Sequence, residues 1–358
     1  MTDGPARVLA PAIESVTADD RAGMHGWFAL MVVCHGHDSP ALPPPCPLGH
    51  ANRFSWPGFG QRAWIVRDGA TVVGAAHMVL PEHDDPDYAF AHVLVVPPWR
   101  RRGLGTRLLE HLAAQARAAG RARLFLDVGE PLDGPGPGAA LLRSVGARVG
   151  MIETRRRLVL RPRDPQTVHD LTAAARAAAG GYRLVQWTGP TPPEWRVDLA
   201  ALIARMSTDA PTGELTVPPR RWDADRVRER DGARLANGVR SVVTAAQAAD
   251  GHLVAYTEVL TCAEEDGFAD QSDTLVAPAH RGHRLGLWIK LANLELLVRE
   301  HPEVRAIDTF NADDNRWMIA INEAMGFVPL LRVRDWELDL TAGQPGTMAP
   351  ISAAASGP

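Results

Sequence analysis

Apolar residues recur in two rhythms along this 358-residue chain, and the rhythms come twice in the same order. Alternating or continuous apolar runs predict strands at 12–16, 63–67, 71–80, 88–96, 123–128 and 151–160, with Asp68-Gly69 as a hairpin turn. Between them, a helix is predicted from near Thr17-Ala18-Asp19-Asp20 to about residue 30. Leu104, Leu108 and Leu112 mark one buried face of a second helix, and a third spans 139–145 after Gly134-Pro135-Gly136-Pro137-Gly138. The proline-rich stretch from His35 to His50 excludes a regular helix. The pattern restarts with strands at 182–187, 241–246, 252–260, 270–276, 306–310 and 330–340, where Asp250-Gly251 repeats the hairpin signal. Helices are predicted at 195–206 and 317–324, and Leu287, Leu291, Leu294 and Leu297 mark a long one.

One segment of each copy is nearly the same. Val95-Val96-Pro97-Pro98-Trp99-Arg100-Arg101-Arg102-Gly103-Leu104-Gly105 matches Val276-Ala277-Pro278-Ala279-His280-Arg281-Gly282-His283-Arg284-Leu285-Gly286. Arg100 to Arg281 is a shift of 281 − 100 = 181, and Gly146 to Gly326 a shift of 326 − 146 = 180. Offsets this long indicate a duplicated domain, not a solenoid unit. The chain divides into a tail (1–11), a first domain (12–161), a linker with a helix at 169–179 (162–181), a second domain (182–341) and a tail expected to be disordered (342–358).

Composition narrows the class. A net charge of −4 argues against a nucleic-acid partner, and the absence of a long apolar run argues against a membrane span. The start of the chain lacks a signal-peptide pattern and three cysteines make no disulfide framework, so a cytoplasmic setting is expected. Cys34, His35, His37, Cys46 and His50 are zinc-ligand types without a Cys-x-x-Cys knuckle; the segment reads as a loop at a substrate edge, and no metal is expected. Lys290 is the only lysine, which reads as compositional bias without chemical meaning.

The pattern Arg/Gln-x-x-Gly-x-Gly/Ala between strand and helix resembles the acyl-CoA signature of the GNAT acetyltransferase superfamily. Arg100-x-x-Gly103-x-Gly105 matches it fully; Arg281-x-x-Arg284-x-Gly286 has arginine for the first glycine. Met325-Gly326-Phe327 after a helix resembles the family's usual close, and the tandem arrangement is similar to the mycothiol synthase type of double GNAT protein. The resemblance implies an α/β (α+β) fold: two tandem GNAT domains, each a mixed, mostly antiparallel sheet flanked by helices with a splayed strand that binds acyl-CoA. A glycine turn leading into a helix aims backbone N–H groups at one point, which suits a pyrophosphate. By that resemblance, acetyl-CoA would meet Arg100, Arg101, Arg102, Gly103, Leu104, Gly105 and Thr106, or Arg281, Gly282, His283, Arg284, Leu285, Gly286 and Leu287. The splayed-strand N–H groups that hold pantetheine and thioester oxygen would be those of Val93, Leu94 and Val95, or Thr274, Leu275 and Val276. Asn311 and Asn315 would bond the pantetheine amides, or cap a helix.

Transfer to an amine needs a base, since an alkylammonium cannot attack. The family's carboxylate position maps to Asp270, six residues before Val276, and to Ala89 in the first copy; Asp273 lies on the opposite face if the strand is regular. The family's acidic tyrosine is replaced by Leu142 and Asn322, of which only Asn322 can donate to a leaving sulfur. Acidic residues Glu82, Asp84, Asp85 and Asp87, and Glu264, Glu265 and Asp266, suit a cationic acceptor or are solvated loops. The expected activity is acyl-CoA-dependent N-acylation, most simply N-acetylation, of the primary amine of a small cationic metabolite. It is assigned to the second half, in a monomer or homodimer. The alternative is a non-catalytic acyl-CoA-binding sensor or scaffold.

Overall fold

A computed structural model describes residues 11–160, 165–209, 211, 213–215, 219–262 and 267–341. The N-terminal half contains β1 (Ile13–Val16), α1 (Arg21–Asp38), α2 (Pro47–Ala51), β2 (Phe59–Asp68), β3 (Thr71–Pro81), β4 (Tyr88–Val95), α3 (Leu104–Ala118), β5 (Arg123–Glu130), α4 (Pro137–Ser144) and β6 (Arg148–Val159). The C-terminal half contains α5 (Pro165–Ala178), β7 (Arg183–Thr188), α6 (Arg196–Asp209), α7 (Ala224–Ala236), β8 (Val239–Gln247), β9 (Leu253–Cys262), β10 (Phe268–Val276), α8 (Leu285–Glu300), β11 (Ala306–Ala312), α9 (Arg316–Ala324) and β12 (Val328–Asp339).

The described strands form one mixed sheet in the order β1-β2-β3-β4-β5-β12-β6-β11-β10-β9-β8-β7. Adding six to each strand number reverses the order onto itself, so the halves are related by a pseudo-twofold axis between β12 and β6. The last strand of each half crosses to the other: β6 lies along β11, and β12 along β5. The linear division at residue 161 therefore does not describe how the sheet is built, because the strand at 151–160 completes the sheet of the opposite half. All pairings are antiparallel except β4 with β5 and β10 with β11.

Each half buries both sheet faces. Leu104, Leu108, Leu109 and Leu112 of α3 pack over one N-terminal face with Leu142 of α4. Met24, Trp27, Leu30 and Cys34 of α1 cover the other. In the C-terminal half, Leu291 and Leu297 of α8 face Val242, Val259 and Ile307, while Leu199, Ile203 and Val227 of α6 and α7 close the opposite face. Helix α1 runs eight residues past its expected end, because Met31, Val32, Val33 and Cys34 continue its turns and the prolines begin only at Pro40. Helix α5 presses Ala175 and Ala179 against Trp288 and Ile289, so the expected linker helix belongs to a packed layer.

Helix α7 has no counterpart in the hydrophobic pattern. Asp223 caps it by accepting from the N–H of Arg226, but apart from Val227 its inner face is ionic: Arg234 lies 2.7 Å from Glu258, and Arg230 binds Asp231 at 2.8 Å. Arg226 on this helix and Arg220 on its approach pair with Asp84 and Asp85 of the opposite half. Those two carboxylates are thus neutralised across the molecule instead of facing an acceptor; Glu264, Glu265 and Asp266 lie outside the described residues, as does the tail from residue 342.

Candidate active site

The two parallel pairings are short. β10 pairs with β11 only from Phe268–Ala306 to Asp270–Asp308 and then diverges; β4 pairs with β5 only from Tyr88–Arg123 to Phe90–Phe125. The gap opened in the C-terminal half is a cleft of about 290 Å³ lined by Gln271, Ser272, Asp273 and Thr274 on one side and Thr309, Phe310, Asn311 and Ala312 on the other. Glu153 from the exchanged strand β6, Lys290 from α8, and Asn315 and Met318 of the α9 end complete much of the wall.

The strand β10 is not regular. Its register against β9 shifts between Gln271 and Thr274, a β-bulge at Ser272–Asp273, whereas β4 pairs with β3 without interruption from Val95 to Phe90. The extra residue explains a one-residue change of offset along β10. Tyr88 and Phe268, the first rungs of the parallel pairs, differ by 268 − 88 = 180, and the loop arginines differ by 281 − 100 = 181. The bulge also brings Asp273 to the face that Asp270 occupies, so the expectation of opposite faces for a regular strand does not hold. Structurally, the N-terminal equivalent of Asp270 is Phe90, not Ala89, since both occupy the third rung.

Asp270 does not line the cleft. It stands 3.6 Å from Arg155, beside the buried Asp308, which is held by Arg155 and Arg157 at 2.7 and 2.6 Å. Burial raises its pKa, Arg155 and Arg157 oppose the rise and Asp308 reinforces it, although about half of its side chain remains open. The N-terminal half replaces this acid pair by Phe90 and Phe125 packed edge to face, ring centroids 5.2 Å apart.

Asp273 does line the cleft. Its Oδ2 accepts a 2.9 Å hydrogen bond from the Tyr256 hydroxyl, and burial raises its pKa, helped by Glu258 and opposed by the Tyr256 bond and by Arg230 and Arg234. Tyr256 is fully buried and held well above its ordinary pKa by burial first and by Asp273 and Glu258, so it stays a donor. By the 181-residue offset, the N-terminal half has His92 for Asp273 and His77 for Glu258. Those rings stack at 5.8 Å, His92 lies 3.5 Å from Asp127, and burial with Arg53 drives His77 down to about 2.

Asn322 is fully buried and sits behind the cleft wall. Its Nδ2 donates to Asn311 Oδ1 at 2.6 Å, and Asn311 is the residue that meets the opening. Asn315 caps α9 by accepting from Met318 N at 3.2 Å, and it also lines the cleft. Thr274 bonds Thr257 through their hydroxyls at 2.7 Å, and Leu275 is buried in the α6–α7 core, so only its backbone can serve a ligand.

The two turns have the same backbone. Arg101 and Gly103 are left-handed (φ 63° and 82°), as are Gly282 and Arg284 (φ 89° and 54°). Each loop thus needs two left-handed residues and supplies glycine for one, at the second position in the N-terminal half and the first in the C-terminal half. An arginine there costs roughly 1–2 kcal/mol, and the turn leads the first free N–H groups of α3 and α8 to one side. Gly105 and Gly286 fit because an added Cβ would meet Leu141 at 3.2 Å and Ile321 at 3.1 Å. Arg100 and Arg281 donate through Nε to the carbonyls of Val95 and Val276, and pair with Asp38 and Asp209, which pins strand end to turn, while Arg102 and Arg284 stand exposed on the same turns. His283, Val93 and Leu94 lie on the loop and strand positions that the pattern indicated; the backbone of Val276, Leu285 and Leu287, and of Leu104 and Thr106, lines the corresponding helix entrances. Among the described residues no three metal-ligating side chains gather, and no helix is long and apolar enough to cross a membrane.

The fold and these turns agree with known proteins. Residues 32–134 match the model of the acetyltransferase (GNAT) family. A solved tandem GNAT protein from the clavulanic acid biosynthesis pathway is 33% identical with a TM-score of 0.76, covering 92% of this chain and 98% of its own. A GCN5-related N-acetyltransferase from Sphaerobacter thermophilus (17% identity, TM-score 0.63, 94% of this chain and 96% of its own) and a putative acetyltransferase from Pyrococcus horikoshii (13%, 0.55, 95% and 92%) share the fold. Compared by sequence with curated proteins, the chain matches none. With a splayed parallel strand, a left-handed turn into a helix, and a full-length relative at 33% identity, this chain belongs to the GNAT acetyltransferase family, in the tandem form.

Proposed function

We propose that the chain is an acyl-CoA-dependent N-acyltransferase whose reaction centre is the C-terminal cleft. The observation that carries this reading is the bulge at Ser272–Asp273 beside the splay, which takes those two residues out of the β9 ladder and puts the Asp273 carboxylate on the opening. The residues fit acyl-CoA: exposed arginines and helix N–H groups stand at the turn, and polar side chains line the way to the bulge. The bound co-substrate would supply a thioester, most simply the acetyl one.

Asp273 takes the proton of the acceptor ammonium, and the freed amine forms the C–N bond as the C–S bond breaks. The raised pKa brings Asp273 closer to a useful base, and Tyr256 fixes its carboxyl orientation. Backbone N–H groups of residues 273–275 are aimed where negative charge develops on the carbonyl oxygen. Asn311, oriented by Asn322, is the donor nearest in role to the missing tyrosine; a thiol of ordinary pKa about 8.5 needs little help to leave. Asp273 and Glu153 give the acceptor side a negative character, which suits a small cationic amine. The N-terminal half, with Phe90 and Phe125 at its third rung and no bulge in β4, serves as a binding or structural copy. Incubation with acetyl-CoA and an amine library, followed by mass spectrometry, tests the reading. An acylated amine with free CoA is expected; CoA binding with no product from any amine would favour a sensor.

A further inference from the structure

Lys290 is the one ionisable residue lining the cleft that acyl transfer to an amine leaves without a role. It lies on α8, is 2% exposed, and its Nζ has no hydrogen-bond partner; it stands 5.4 Å from the centroid of the Phe327 ring. A buried ammonium without a partner is expensive, and it is tolerated where a ligand supplies one. The pseudo-equivalent residue in the other half, 290 − 181 = 109, is Leu109, which is buried in an ordinary apolar core. The lysine is therefore not required by the packing of this helix. It lines the same opening as Gln271, Thr309 and Asn311, so the wall that would meet an acyl chain carries a cation and polar groups where an acetyl methyl needs apolar contact.

We infer that the C-terminal cleft selects an acyl-CoA whose acyl chain ends in a carboxylate, with Lys290 as the residue that binds that carboxylate. This rests on the assignment of the cleft to acyl-CoA. Burial alone lowers the Lys290 pKa to about 7, with no charge of Asp273 or Glu153, the other ionisable groups of the cleft, opposing it. The free protein thus holds a largely neutral amine above pH 8, and a carboxylate ligand draws a proton onto it as it binds.

Calorimetry on the full chain with CoA, acetyl-CoA, malonyl-CoA and succinyl-CoA, at pH 8.5 in buffers of different ionisation enthalpy, tests this. A carboxylate-ended thioester should bind about 10- to 100-fold tighter than acetyl-CoA, the scale of one charged hydrogen bond, with uptake approaching one proton. In Lys290→Leu, which copies the other half, and in Lys290→Met, that ratio and the proton uptake should both disappear. If CoA and acetyl-CoA bind and the carboxylate-ended thioesters bind no tighter, this inference fails alone. If neither CoA nor any thioester binds, the assignment of the cleft fails with it. Acylation of Lys290 itself, seen as a mass increase lost in both variants, would also overturn it, because the lysine would then be an acceptor.

Discussion

Lys290→Met should stabilise the free protein, and by an amount that depends on pH in a defined direction. Burial moves the lysine from 10.5 to about 7, which corresponds to roughly 5 kcal/mol of lost preference for the charged form. The unfolded chain keeps its proton up to about pH 10.5, while the folded chain releases it near 7. Between those values the unfolded state binds more protons, so this group's contribution rises with pH by about 1.4 kcal/mol per unit. Below pH 7 both states are protonated and the full penalty stands; above 10.5 it vanishes. Methionine fills a similar volume without an ammonium, and it forgoes a cation–π contact with Phe327 of about 0.5–2 kcal/mol. The variant should therefore gain about 3–4 kcal/mol at pH 6.5 and only about 1 kcal/mol or less at pH 9.5. Urea unfolding of both proteins at the two pH values gives the difference, and subtraction cancels the other titrating groups. An equal difference at both pH values, or a variant less stable at pH 6.5, would refute the argument that Nζ is buried and unpaired.

Two further substitutions probe the sheet between the halves. Asp335, 4% exposed on the exchanged strand β12, is raised to about 7 by burial and then by Glu153 and Asp127. Its contribution is lost as pH rises from 3.8 to about 7, so Asp335→Asn should raise the melting temperature at pH 8 and change it little at pH 4; the reverse order in a thermal scan would contradict this. Asp308→Asn removes the carboxylate shared by Arg155 and Arg157 and should destabilise by about 3 kcal/mol, the low end for a broken buried pair, since Asp270 stays 3.6 Å from Arg155. An unchanged urea midpoint would show that the cluster contributes nothing.

The duplication, the left-handed turns and the leucine faces of α3 and α8 were legible because each is local: a turn needs glycine, and a helix needs a period. The strand exchange was not, because β6 and β12 have apolar faces that fit either half, and pairing partners are set by the crossing of the chain. The bulge at Ser272–Asp273 was not legible, because the two landmarks that gave the sequence offsets, Arg281 and Gly326, both lie after it and carry no sign of the extra residue. Counting along a regular strand therefore pointed to Asp270, while the bulge places Asp273 on the cleft. Helix α7 was missed because its inner face carries a single apolar residue, Val227, among Arg230, Asp231 and Arg234, too few to make a hydrophobic period. Lys290 looked like a compositional accident because isolation in a sequence carries no information about burial.

The central claim is that acyl transfer happens in the C-terminal cleft with Asp273 as base, and the pseudo-symmetry supplies its own control. Asp273 and His92 occupy the same place in the two halves, so Asp273→Asn and His92→Gln can be compared in one assay of CoA thiol release with the acceptor amine. The account predicts that Asp273→Asn lowers kcat by about 10²–10⁴-fold, the usual scale for a lost general base, while His92→Gln stays within about threefold of the parent and both still bind CoA. Full activity in Asp273→Asn together with loss in His92→Gln would move the reaction to the N-terminal half and contradict the account.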